Sequence, residues 1–303
     1  MGLHAVIMNA IRHLFFYLAG IVFLVLAKAK NRFRGYTPKP FGVSEVDRCI
    51  DYDFRVVDQW LSHLASYVPD SHSLAGKNVL ELGPGSDLGI GLYLLSRGCA
   101  GYNACDVNNL MEKVPDRFYE RVFERLGERV DAPILDSLRV QLREARAGRP
   151  ARLNYVVRED FNLRSAFGAE TMDLVFSQAA FEHFDDVATT VQQLGEVCKS
   201  GAVLVAEIDL KTHSRWICDR DPNSIYRYPA WLYHAFRFRG SPNRVRPFQY
   251  QEAFEQQGWT DVYLACLARC PDPSKQCSGL NRAFADPRNQ MDWLSMVLCA
   301  RKK

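Results

Sequence analysis

The chain has 303 residues, 48% of them hydrophobic and 12% aromatic, enough for the core of one large domain or two small ones and incompatible with a disordered chain. Its 38 basic and 35 acidic residues leave a formal net charge of +3 with no long basic run, which disfavours a polyanion as main partner. Nine cysteines, an odd number with no Cys-x-x-Cys pair, read as reduced thiols of a cytosolic protein.

Residues 14–27 are an unbroken apolar run. As a helix the run is ~21 Å long at about 1.5 Å per residue, short of the roughly 30 Å hydrocarbon layer. It can cross a thinned bilayer, lie at the interface, or pack against the domain. Arg12 precedes it and Lys28, Lys30, Arg32 and Arg34 follow, so an inserted helix keeps the bulk of the chain on the cytoplasmic face. Ala27-Lys28-Ala29 also has the small-residue pattern of a signal-peptidase site, which would make the run a cleaved leader. Residues 1–35 are therefore read as an apolar helix with capacity for membrane association, and 36–77 as a helical cap. In that cap Val56, Val57, Trp60, Leu61, Leu64 and Tyr67 recur at helical spacing.

From residue 78 to the end, short apolar runs at 78–82, 101–107, 153–157, 172–176 and 202–208 alternate with helical stretches. That alternation predicts an α/β fold with parallel strands joined by crossover helices on both faces. Two more strands, 261–268 and 292–300, follow without a convincing helix between them and are expected to pair antiparallel at one edge. Residues 109–150, charged and helix-prone, and 211–247, rich in Arg, Trp and Tyr, exceed this minimal alternation. Each follows a strand, and ligands of open α/β sheets sit beyond the carboxyl ends of strands, so both insertions are expected to build an acceptor pocket.

The segment Val79-Leu80-Glu81-Leu82-Gly83-Pro84-Gly85-Ser86-Asp87-Leu88-Gly89 is a hydrophobic strand entering a glycine-rich turn and then a helix. Gly83 and Gly85 admit positive φ and close approach of a ligand to the main chain. A dinucleotide site would place glycine where Leu88 stands. Glu81, just before the turn, would repel a pyrophosphate but suits a cationic amine.

This segment closely resembles the first motif of class I S-adenosylmethionine-dependent methyltransferases, and further positions follow in the family's order. Asp106 closes the second strand, where a carboxylate can accept both ribose hydroxyls. The resemblance implies that Asp160 receives the adenine amino group and that Phe161 covers the base, although 109–150 lengthens the Asp106–Asp160 spacing. Asp173 to Gln178, leading into Ala180-Phe181-Glu182-His183, is similar to the family's fourth-strand motif. The expected donor site is thus Glu81, Gly83, Pro84, Gly85, Ser86, Asp87, Gly89, Asp106, Asp160, Phe161, Ser177 and Gln178. The implied fold is a Rossmann-like seven-strand sheet ending in an antiparallel pair.

A hydroxyl acceptor must lose a proton, and Glu182 and His183 after strand four, with Asp209 and His213 after strand five, are the candidate catalytic groups. Glu182-His183 can equally be a structural pair. Ile208-Asp209-Leu210, His213, Asn243-Arg244-Val245-Arg246 and Tyr250 resemble the tail of methyltransferases associated with polysaccharide biosynthesis. That resemblance implies a sugar or glycan-precursor hydroxyl as acceptor, with Asn243, Arg244 and Arg246 contacting it. Arg237, Arg239, Arg244 and Arg246 can form an anion clamp or a solvated basic face. The histidines are dispersed and the cysteines lack ligand spacing, so no metal site is expected. Other readings are a catalytically silent S-adenosylmethionine-binding or membrane-tethered interaction protein and, disfavoured by Leu88, an NAD-dependent oxidoreductase.

Overall fold

A computed structural model of the chain describes residues 3–34, 45–70, 72–109, 111, 114–214 and 217–303. The expected boundary between the first two units falls in 35–44, outside the described residues, as do 110, 112–113 and 215–216 within the two expected insertions. The helices are α1 (Leu3–Arg34), α2 (Val46–Tyr67), α3 (Gly89–Ser96), α4 (Asp116–Gly127), α5 (Ala132–Arg146), α6 (Leu163–Phe167), α7 (Val187–Val197), α8 (Ala230–Phe236), α9 (Pro247–Gln256) and α10 (Pro273–Gln276). The strands are β1 (Asn78–Leu82), β2 (Gly101–Asp106), β3 (Leu153–Val157), β4 (Met172–Gln178), β5 (Cys198–Asp209), β6 (Trp259–Arg269) and β7 (Trp293–Lys302).

All seven strands join one sheet in the order β3-β2-β1-β4-β5-β7-β6. The first five are parallel, while β7 runs antiparallel to both β5 and β6. The Rossmann-like expectation holds, with β7 threaded between β5 and the edge strand β6. Strand order reverses between β1 and β4, and a crevice opens at the carboxyl ends on either side of such a switch point.

Each face of the sheet buries its own layer. On one, α2 presents Ile50, Phe54, Val57, Trp60 and Leu64 at helical spacing, and the Trp60 ring stacks on Phe176 of β4 at 5.0 Å and 2°. Burying Phe176 contributes about 1.5–3 kcal/mol and the stack roughly 0.5–1.5 more. On the other, α7 and α9 close over Leu80, Val175, Leu204 and Leu298. Asp186 caps α7 by accepting from the Thr189 amide at 3.0 Å.

The 109–150 insertion becomes α4 and α5, and its buried Phe118, Val122, Leu126, Leu138 and Leu142 join the core beneath α2 and α3. None of its described residues lines the cleft below, which corrects its assignment to acceptor binding. In contrast Lys211, Thr212, His213, Cys218, Arg239 and Gly240 of 211–247 line that cleft, and α8 in the same span touches α1.

α1 is longer than the apolar run and lies on the domain by one face. Phe16, Gly20 and Leu24, four residues apart, are buried. Arg12 donates to the Arg220 carbonyl at 2.6 Å, Lys28 to the Ala235 carbonyl at 2.8 Å, and Tyr228 Oη to the Tyr17 carbonyl at 3.3 Å. An added Cβ at Gly20 would fall 1.9 Å from Tyr228 Oη, so only glycine lets the two surfaces meet.

Candidate active site

β1 ends in a turn at which Gly83 and Gly85 take φ of +69° and +78°. A Cβ on Gly83 would sit 2.8 Å from the Ala180 Cβ of the loop after β4, so the two loops touch main chain to side chain. Between the turn and the ends of β2 to β5 lies a cleft of about 1070 Å³. Glu81, Gly83, Pro84, Gly85, Asp106 and Phe161 line it from β1, β2 and the loop after β3; Gln178, Glu182, His183, Asp209 and His213 line it from β4, β5 and the loops that follow them.

Carboxylates from three successive strands reach this cleft. Glu81 is buried and accepts a hydrogen bond from Tyr102 Oη at 2.5 Å. Asp106, also buried, accepts from the Asn108 amide at 2.8 Å, and desolvation raises its pKa above the ordinary aspartate value. Asp160 stands exposed at the rim and is held bidentately by Arg158 at 2.8 Å to each oxygen, which together with the Asn162 amide lowers its pKa.

Four expected donor-site residues lie behind the cleft wall. Asp87 is buried and accepts from the Gly89 amide at 3.0 Å, while the missing Cβ of Gly89 leaves room for the Asp53 carboxylate. Ser86 Oγ is buried without a partner, and Ser177 Oγ bonds the Leu82 carbonyl at 3.4 Å across β1 and β4. These residues shape the turn instead of facing the cleft. Gln178 does face it, but its amide accepts from Trp60 Nε1 and donates to Glu207, each at 3.1 Å, tying the strand end to α2.

After β4 and β5 the polypeptide brings together groups that are distant in sequence. Glu182 and His183 lie on the 3-10 turn Phe181–His183 after β4, and His213 follows β5. The His183 and His213 rings meet edge to face at 4.8 Å, with His213 Nε2 3.9 Å from Asp209 Oδ2. Glu182 is 2% exposed, and neither carboxylate oxygen has a hydrogen-bond donor in bonding geometry. Desolvation first, then the Asp209 charge, raises its pKa well above the glutamate value. Desolvation and then His213 hold His183 down at about 4; partial desolvation and Lys211 shift the more open His213 in the same direction. Ligand atoms of Glu182, His183 and His213 lie within 4.8 Å of one another. The histidines, dispersed in sequence, converge here.

The arginine clamp is not formed. Arg246 is fully buried and donates to the carbonyls of Asn289, Gln290 and Trp293 at 2.7–3.2 Å and to Tyr226 Oη at 3.1 Å. Arg244 donates to the carbonyls of Ile225 and Tyr228 and lies over the Tyr233 ring at 4.4 Å. Asn243 bonds the carbonyls of Phe181 and Phe184 at 2.8 and 3.1 Å, which locks the turn carrying Glu182. These three side chains brace the site from behind. Arg237 pairs with Asp185, and of the four arginines Arg239 alone lines the cleft, bonded to the Glu159 carbonyl.

Sequence reasoning missed Tyr52, which enters the cleft from α2, and Asn108, Lys211 and Thr212, which follow strand ends. Position just after a strand could have flagged the last three; nothing local marks Tyr52.

Residues 121–206 match the protein-family model described as "Methyltransferase domain". Over that stretch the chain is similar to methyltransferase domains. No curated protein matches it. Solved structures resemble it at low identity. The CurJ carbon methyltransferase is 14% identical with a TM-score of 0.41, over 75% of this chain and 49% of that one. Phosphoethanolamine N-methyltransferase 2 of Haemonchus contortus, in complex with S-adenosyl-L-methionine, is 12% identical with a TM-score of 0.47, over 90% and 59%. A putative S-adenosylmethionine-dependent methyltransferase from Listeria monocytogenes is 14% identical with a TM-score of 0.43, over 82% and 98%. The chain thus spans about half the length of the first two of these proteins.

Proposed function

We propose that the cleft binds S-adenosylmethionine against the Gly83–Gly85 turn and that the protein transfers its methyl group to a hydroxyl of a sugar, glycan precursor or other small molecule delivered at a membrane surface. One observation carries the donor half: Glu81, Asp106 and Asp160, from the tips of three successive strands, share a cleft with a turn open to main-chain contact. Asp106 accepts the ribose hydroxyls, Glu81 faces the methionine amine directly or through water, and Asp160 with Phe161 takes the adenine. The sulfonium methyl then points toward Glu182, His183, Asp209 and His213. Transfer is an in-line displacement: the acceptor oxygen bonds the methyl carbon as the carbon–sulfur bond breaks onto sulfur. Alignment supplies much of the rate.

The acceptor's route is read from α1. Ile11, Leu14, Phe15, Leu18, Val22, Val25 and Leu26 form an exposed apolar stripe opposite the docked face, and Trp231 of the neighbouring α8 is 71% exposed. The window Ala10–Lys30 has the length and apolarity to span a bilayer. Arg12 and Lys28, near its two ends, both bond the same domain, so spanning would break the docking. An interfacial helix keeps those bonds and buries the stripe, with Trp231 at the headgroups. The segment 211–247 then has the membrane-bound helix on one side and the cleft on the other.

The test is transfer of labelled methyl from S-adenosylmethionine to a panel of glycan precursors, free and lipid-linked. The expected product is an alkali-stable methyl ether on a lipid-linked member. S-adenosylhomocysteine binding with no turnover across the panel would favour the silent, membrane-tethered reading.

A further inference from the structure

We propose that Glu182, His183 and His213 bind one divalent transition-metal ion, of the borderline class that includes zinc, iron and cobalt, with open coordination positions facing the acceptor end of the cleft. A buried carboxylate without a donor in bonding geometry is costly: the nearby Glu182 and Asp209 amides and the Lys211 charge do not offset the desolvation and the neighbouring Asp209 carboxylate. His183 Nδ1 is buried without a partner beside it. A cation between these groups satisfies three deficits together.

The donor set is specific. Two imidazoles and one carboxylate suit borderline divalent metals, whereas calcium and magnesium take oxygen shells. The three ligand atoms lie within 4.8 Å of one another. Ligands at ~2.0–2.1 Å from a tetrahedral centre are ~3.4 Å apart, so closure needs about 1.4 Å of side-chain movement at most. His213, exposed at the cleft mouth, can supply it. Asp209, 3.9 Å from His213 Nε2, stands where a carboxylate orients a ligating imidazole, and it also pairs with Lys211 Nζ at 3.5 Å. Three protein ligands leave positions for an acceptor oxygen, whose proton is more acidic on a metal. That hydroxyl releases its proton to cleft water and attacks the methyl carbon, and the sulfonium leaves as a neutral thioether. Metal binding stands apart from the methyl-donor reading; this catalytic use of it rests on that reading.

The full chain, stripped with a chelator, is titrated with Co²⁺ by visible absorption and calorimetry, and separately with S-adenosylhomocysteine. The expected result is one Co²⁺ per chain with the intense visible bands of a four- or five-coordinate site. His213→Ala and Glu182→Gln should weaken Co²⁺ by at least about 100-fold with S-adenosylhomocysteine affinity unchanged. The exposed His213 ring makes its variant the one expected to keep the wild-type unfolding midpoint, so lost binding there is not lost folding. No stoichiometric Co²⁺ in the wild type, or undiminished affinity in His213→Ala, overturns the site. Cobalt binding without S-adenosylhomocysteine binding leaves the metal site standing and removes the donor reading instead.

Discussion

The two ends of the cleft are built on different physical principles. At the proposed donor end the chemistry comes from backbone and strand ends: two glycines at positive φ, with Glu81 of β1, Asp106 of β2 and Asp160 just after β3 lining the same cleft. At the acceptor end it comes from side chains some thirty residues apart that meet on loops, with Glu182 buried and unbonded beside Asp209. A main-chain cradle recurs wherever its ligand does, whereas a loop-borne cluster can change with the acceptor. The same contrast appears outside the cleft, where α1 uses one face for the domain and leaves the other apolar and open.

Substitutions can break this comparison at graded cost. Gly83→Val forces a side chain into positive φ and against Ala180; S-adenosylhomocysteine affinity by calorimetry should fall by about 100-fold or more. Asp106→Asn removes the charged acceptor and should weaken the same ligand by roughly 10- to 100-fold. Because desolvation raises the Asp106 pKa, the carboxylate protonates at a higher pH than an ordinary aspartate. Wild-type affinity should then fall as pH drops through that raised value, and Asp106→Asn should flatten this dependence. Leu18→Glu with Val22→Glu, on the open face of α1, should abolish co-sedimentation with anionic liposomes and leave S-adenosylhomocysteine affinity unchanged. Arg244→Ala separates bracing from binding most finely. It removes two carbonyl bonds and the contact with Tyr233, so denaturant unfolding should show a loss of about 1–3 kcal/mol with the Michaelis constant for the acceptor unmoved.

The donor end was legible because its signals are local. Glu81 and the Gly83–Gly85 turn are contiguous, and Asp106 and Asp160 stand at or just past strand ends that apolar runs reveal. The acceptor end was not, since neighbours in space are not neighbours in sequence. Arg246 reads as an exposed cation until its carbonyl partners, more than forty residues on, are known. His183 and His213 read as dispersed until β4 and β5 place them together. The 109–150 segment is charged on its outer faces, which hid the buried stripe that makes it core. The helix through residues 14–27 is apolar on every side, so periodicity could not separate the face that docks from the face left open.

The central claim concerns the donor end, and the most direct measurement is the unfolding temperature of the full chain with S-adenosylhomocysteine or NAD added in turn. At ~100 times its dissociation constant a ligand adds about 2.7 kcal/mol, so S-adenosylhomocysteine should raise the midpoint by several degrees and NAD should leave it unmoved. Stabilisation by NAD with none from S-adenosylhomocysteine would contradict the account.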